Sequence, residues 1–227
     1  PELEPIRSLH FGVITPDMGS GSVSVTTCDL GHGDDGILRT TSAGPSCPAT
    51  FPDGIFDFAV GSGDPVAFAM DVACVSNAGT GGCGFEQQLE ATLKALSPAA
   101  ATSWTRPGYV PPVFHGPSSG NGDGANAGFV RDGSLLAVTL FTDEEDCSVP
   151  DYALFDPGDP RFGAVNLNLR CFTFPGELHP VSRYVDGLLQ LRADPRTLVF
   201  GVIAGVPTDL VGLDTAARYD AILADPR

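Results

Sequence analysis

Three continuous apolar runs constrain this chain most: "LHFGVIT" at 9–15, "SLLAVTLFT" at 134–142 and "TLVFGVIAGV" at 197–206. Each is rich in Val, Ile, Leu and Phe, and none alternates with polar residues. A strand with one wet face alternates; a strand covered on both faces does not. The runs therefore read as buried strands of a parallel sheet. Helical signals lie between them. In "DPVAFAMDVACV", Asp64 stands at an N-cap position and Pro65 at the first helical position. "GFEQQLEATLKAL" sets Phe85, Leu89, Leu93 and Leu96 on one stripe, with Pro98 just past its end. "PVSRYVDGLLQLR" does the same with Val181, Tyr184, Val185 and Leu188, and Pro195 closes it. Alternating strands and helices give an α/β class: a mostly parallel sheet with helices on both faces.

Gly-, Pro-, Ser- and Asn-rich stretches at 16–63, 98–128 and 147–176 interrupt this frame and read as long loops. The middle one, containing "YVPPVFHGPSSGNGDGANAG", is expected to be the least structured and most mobile. No internal repeat or linker divides the 227 residues, so a single domain spanning 1–227 is expected. No apolar run approaches the length of a membrane span, so no membrane insertion by this segment is expected. "PELEPIRSLHF" lacks a basic start followed by an apolar stretch, so a secretion signal would lie upstream of Pro1.

Charge narrows the partners. The chain carries 28 acidic residues against 12 Lys and Arg, a formal net charge of -16, and Lys94 is its sole lysine. Such a surface repels nucleic acid and anionic lipid and suits cations. Asp in Gly-rich turns fits a calcium-binding extracellular protein; salt adaptation or a GC-rich genome would give the same bias. The six cysteines, Cys28, Cys47, Cys74, Cys83, Cys147 and Cys171, form no Cys-x-x-Cys motif, and the four histidines are scattered, so a zinc site is not expected. An even count in loop-rich context favours disulfides and an oxidising, extracytoplasmic compartment. Nearest-neighbour pairing, 28–47, 74–83 and 147–171, would staple three separate loops.

The second apolar run ends at Thr142 in four successive acids: Asp143, Glu144, Glu145 and Asp146. In open parallel sheets, ligands bind beyond the carboxyl ends of the strands. Asp143 lies at such an end, and Asp17 has a matching place after the first run. The loop "SNAGTGGCGFE" is expected to bring Thr80 to the start of the next helix. Together these ends would form one oxygen-rich rim, where clustered carboxylates repel until a cation joins them. Oxygen ligands of this kind select Ca²⁺, Mg²⁺ or Mn²⁺. A second acidic loop, "CDLGHGDDGILR" with Asp29, Asp34 and Asp35, faintly resembles an EF-hand loop but lacks its closing Glu and spacing.

At these residues the chain resembles the von Willebrand factor A family. The strand ending in "LFTDEED" looks like the family's strand–Thr–Asp–Gly segment, "GTGGCGFEQQLEATLKAL" like its Gly-Thr loop opening a helix, and "TLVFGVIAGVP" like the next core strand. A branch of secreted or lipid-anchored bacterial proteins resembles it more closely, through "LHFGVITPDMGSGS", "NAGFVRDGSLLAVTLFTDEEDCS", "LFDP" and "RCF" in this order. The resemblance covers roughly 9–206 and implies a doubly wound parallel sheet with a metal-ion-dependent adhesion site. It carries over Asp143 and Thr80 as metal ligands; Asp17 and Asp146 are added by position. The family's Asp-x-Ser-x-Ser motif has no copy here, and Glu144 replaces the usual Gly. The domain is thus expected to be incomplete on its N-terminal side, lacking the strand that carries two Ser and an Asp.

Recognised catalytic spacings are missing from the sequence: "GSGSVSV" opens no helix, no His-Glu-x-x-His occurs, and Glu144 and Glu145, being adjacent, point apart. The expectation is therefore a non-enzymatic extracytoplasmic binding or adhesion module, presenting a divalent cation (Ca²⁺ or Mg²⁺) to a protein partner or surface ligand. Homo-oligomerisation, or pairing with a missing N-terminal segment, would complete the sheet. The alternatives are a structural surface or assembly domain without an open metal site, and a metal-dependent hydrolase.

Overall fold

The computed structural model describes residues 6–26, 28, 31–116, 118–205, 208–210, 212 and 214–224. Asp29 of the second acidic loop, and Val206 at the end of the third apolar run, lie outside the described residues. Strand β1 (Ser8–Phe11) and strand β2 (Phe56–Ala59) precede helix α1 (Pro65–Ser76) and helix α2 (Gln88–Leu96). Strand β3 (Leu136–Phe141), the short helix α3 (Arg170–Thr173), helix α4 (Val181–Gln190), strand β4 (Leu198–Ile203) and helix α5 (Thr215–Ala224) follow. The class is mixed, helices with small sheets.

The second and third apolar runs pair as expected: β3 and β4 are parallel, in register from Leu136 opposite Leu198 to Phe141 opposite Ile203. The first run does not join them. Strand β1 instead pairs antiparallel with β2, a strand inside a stretch read as loop, with Phe11 opposite Phe56. Its pairing stops at Gly12, where a Cβ would come within 2.6 Å of Leu38 Cδ2 and 3.3 Å of Gly54 O. The chain at 36–54 crosses there, and Arg39 N–H donates to Val13 O at 2.8 Å. The run, expected to be buried on both faces, is only half-buried from Leu9 to Ile14, and its cover is a loop rather than a neighbouring parallel strand.

Helix α1 starts as its sequence dictates: Pro65 is its first residue, and the Asp64 carboxylate accepts from Val66 N–H at 2.9 Å. Helix α4 buries Tyr184 and Leu188, whereas Val181 and Val185 of the same stripe are 67% and 49% exposed. Helix α2 exceeds its expectation. All nine residues except the half-buried Leu89 are buried, including Gln88, Glu90, Thr92 and Lys94.

That burial is made by loops. Asn126, 2% exposed, accepts from Leu38 N–H at 2.9 Å and donates to Gly36 O at 2.9 Å and Ala95 O at 3.0 Å. Asn121 N–H donates to Lys94 O at 2.8 Å. The stretch expected to be mobile is therefore part of the wall around α2; its Asn and Gly residues are there for hydrogen bonding and close approach. At Gly36, where φ is +66°, a Cβ would lie 2.7 Å from Ala91 O, so both conformation and space require glycine. Charges inside this wall are paired. Glu90 accepts from Arg183 through two bonds of 2.9 and 2.8 Å. Lys94 Nζ donates to Asp35 and, at 2.9 Å, to Ser118 Oγ. Removing one partner of a buried ion pair typically costs about 3–5 kcal/mol, so these two contacts outweigh any exposed pair.

Two hydrophobic clusters flank the helix. One gathers Phe85, Val149, Tyr152, Leu154, Phe155 and Phe162; the other joins Leu93, Leu96, Phe114, Leu136, Tyr184 and Leu191. The 147–176 stretch contributes the first of these through 3-10 turns at Tyr152–Phe155 and Leu167–Leu169, held by buried Arg170 donating to Leu154 O and Asp156 O.

The cystines correct the sequence expectation. Cys147 pairs with Cys171, but Cys28 pairs with Cys83 and Cys47 with Cys74. Neighbours in sequence are not neighbours in space here. Asp17 ties the 17–35 loop to Cys83, and Ala43 N–H donates to Asn77 O just beyond α1. Three disulfides point to an oxidising, extracytoplasmic environment. Non-reducing proteolytic mapping should recover linked peptides 28/83, 47/74 and 147/171; finding 28/47 or 74/83 as the native pairs would contradict this arrangement.

Candidate functional site

The carboxyl end of the β3–β4 pair is where the sequence places its acids, and the structure divides them. Thr142 extends the ladder by one bond, donating N–H to Ile203 O at 3.1 Å. Its hydroxyl accepts from Gln88 Nε2 at 2.8 Å, fixing the strand end beside the start of α2. Asp143, Glu144 and Glu145 are exposed. Asp146 turns inward and accepts from Leu89 N–H at 2.8 Å, Ser148 N–H at 3.0 Å and Ser148 Oγ at 3.1 Å. Ser148 Oγ in turn accepts from Glu90 N–H at 3.1 Å. These two residues supply the N-terminal cap that α2 lacks in its own sequence, since Gln87 makes no side-chain cap bond. A carboxylate there also meets the positive end of the helix dipole. Burial still raises the Asp146 pKa above the ordinary carboxylate value, and the bonds from Leu89 and Ser148 counter it.

Asp17 is equally committed. One oxygen accepts from Gly19 N–H at 2.8 Å and the other from Cys83 N–H at 3.3 Å, while its carbonyl receives the Asp34 and Asp35 amides. Asp34 accepts from Thr15 Oγ1 at 2.6 Å, and Asp35 holds Lys94. These acids brace loops. Thr80 is exposed, eight residues ahead of the start of α2, and does not cap it. The four expected ligands thus fall in separate places: Asp146 under the α2 amides, Asp17 against Cys83, and Asp143 and Thr80 in solvent. Among the described residues, no group of three or more His, Cys, Asp or Glu is arranged to hold a metal ion.

Glu86 was missed by the sequence reading. It sits just before α2, accepts from Gln88 Nε2 at 3.2 Å, and shares the strand-end rim with the acidic run. Its pKa is raised first by burial and then by the nearby Glu144 and Asp143 charges. An acid raised in the folded state binds its proton more tightly there. Its contribution is therefore most favourable below 4.5 and is lost as pH rises through the folded pKa. A Glu directly ahead of a helix that packs on an acidic strand end was the available signal.

A second titratable group lies on the other side of the 17–35 loop. The His115 ring stacks on Tyr152 with centroids 3.9 Å apart, and His32 stands 6.1 Å from His115. Burial, then the His32 charge, lowers the His115 pKa, while burial pushes Tyr152 up to about 12. Tyr152 spends its hydroxyl proton on Met18 O at 3.0 Å. The stack is a packed joint with no free nucleophile.

On the β3–β4 pair, Phe141 is 73% exposed, and Val199, Phe200, Val202 and Ile203 are also exposed. No helix among the described residues is long and apolar enough to cross a membrane. In comparisons with known proteins, no family model, no curated protein and no solved structure matches the chain.

Proposed function

We propose that the chain is an extracytoplasmic, cystine-braced binding module that docks a protein partner on the open β3–β4 pair. One observation carries this reading: among the described residues β3 and β4 pair only with each other, and Phe141, Val199 and Ile203 on one face, with Phe200 and Val202 on the other, stay in solvent. Parallel strands are ordinarily covered on both faces, because their backbone pairing is weaker per residue and their side chains are apolar throughout. An exposed apolar patch with free strand edges favours another strand or an apolar surface. The von Willebrand factor A-like, doubly wound reading belongs to this proposal. The parallel register of β3 with β4, and Asp143 at their shared carboxyl end, support it. In that reading a strand supplied from outside residues 1–227 or by a second copy completes the sheet, and the module is secreted or held at the cell surface in a bacterium. Adhesion or assembly, rather than catalysis, is the role.

A photo-crosslinking residue at position 141, compared with one at the similarly exposed Val110, tests the docking face. The expected result is a discrete adduct specific to position 141, with a second copy or with a distinct secreted protein. No adduct, or equal labelling from both positions, contradicts the proposal.

The Glu86, Asp143 and Glu144 carboxylates favour a second component, a divalent cation at the same rim, because their mutual repulsion is what such an ion relieves. Calorimetric titration with Ca²⁺, Mg²⁺ and Mn²⁺ should then show binding that Asp143→Ala or Glu86→Gln weakens by about tenfold or more. Binding unaffected by both substitutions would remove the ion from this rim.

A further inference from the structure

A cleft of about 310 Å³ opens between β2, the segment before it and the first turns of α1, far in sequence from the acidic strand end. Its walls combine two kinds of residue. Four are phenylalanines: Phe51 meets Phe56 edge to face with centroids 5.0 Å apart, and Phe58 meets Phe68 at 5.5 Å. Four are aspartates, and no Lys or Arg lines the cleft.

The aspartates are only partly spent. Asp53 accepts from Ile55 N–H at 3.0 Å, Asp64 caps α1, and Asp57 pairs with His10 Nε2 at 2.7 Å. Asp71, half-buried on the second turn of α1, has no hydrogen bond or ion pair among the described residues. The cleft therefore holds negative charge beside ring carbon, and that combination narrows the occupant. An anion is repelled. A neutral apolar molecule would displace water from the carboxylates and return no charge. A small metal ion wants a shell of oxygens, and four of the lining residues offer only ring carbon. A cation that brings its own hydrocarbon skin satisfies both walls, packing its methyl groups on the ring faces while its charge meets the carboxylates.

From this juxtaposition we infer that the cleft binds an alkylated ammonium group, as in a choline-type head group or a methylated amine. The net charge of -16 draws such a cation toward the surface. This inference shares no residue with the β3–β4 face, so either can fail without the other.

Titration of the intact protein with choline and with its neutral isostere 3,3-dimethyl-1-butanol separates charge from shape. Choline should saturate, and the isostere should bind at least about tenfold more weakly. Asp71→Asn and Phe58→Leu should each weaken choline by roughly three- to tenfold, with melting curves showing that both variants fold. Asp71 lies on the surface of α1, so its substitution reads the charge even if the ring variant unfolds. No saturation by roughly 50 mM choline, equal binding of the isostere, or indifference to Asp71→Asn would overturn the proposal.

Discussion

Near-complete burial of one short helix sets the terms for the rest of the molecule. A nine-residue helix is marginal alone, so α2 depends on what surrounds it. Surrounding it costs free energy unless each buried charge is paired and the terminal amides are capped. Glu90 therefore needs Arg183 from α4, and Lys94 needs Asp35 from the first long loop. Asp146 and Ser148 cap the amino end, while Asn121 and Asn126 close the carboxyl end. Much of the hydrogen bonding that orders the loops is a consequence of hiding this one element.

The acidic run after β3 gains a meaning from this constraint. Its last member, Asp146, is a structural acceptor, held in place by a helix that has no cap of its own. The preceding three acids are carried into solvent at the strand end, where Asp143 and Glu144 lie near Glu86. One segment thus joins a packing requirement to an exposed, electrostatically strained rim. The open β3–β4 face lies beside that rim and the aromatic cleft lies elsewhere, so the two proposed sites are separate and differ in chemistry. Both suit a protein with excess negative charge and apolar residues left uncovered.

Elements governed by local rules were readable from the sequence. Asp64–Pro65 announces α1, the Leu stripe announces α2, and two unbroken apolar runs announce the parallel pair. What could not be read depends on distant partners. Gln88, Glu90 and Lys94 occupy positions that a helical pattern assigns to solvent; only partners distant in sequence (Thr142, Arg183 of α4, and Asp35 and Ser118 of the loops) make them interior. The first apolar run gave no sign that its partial cover was a loop, because continuous hydrophobicity does not identify the neighbour, and in β3 and β4 it did not secure burial either. The cystine partners, 28 with 83 and 47 with 74, follow from how the first loop folds over α2 and α1. Of the expected ligands, Asp17 and Asp146 accept hydrogen bonds from amides that distant folding brings to them, Cys83 N–H and Leu89 N–H.

Native-state hydrogen exchange of the α2 amides tests the central dependence most directly. If the loops and paired charges enclose this helix as a unit, the amides from Ala91 to Ser97 open only with global unfolding, and their exchange free energy equals the denaturation free energy. Exchange from these amides as fast as from the exposed helix α1 would contradict the account, because the enclosing loops would then open without unfolding the protein.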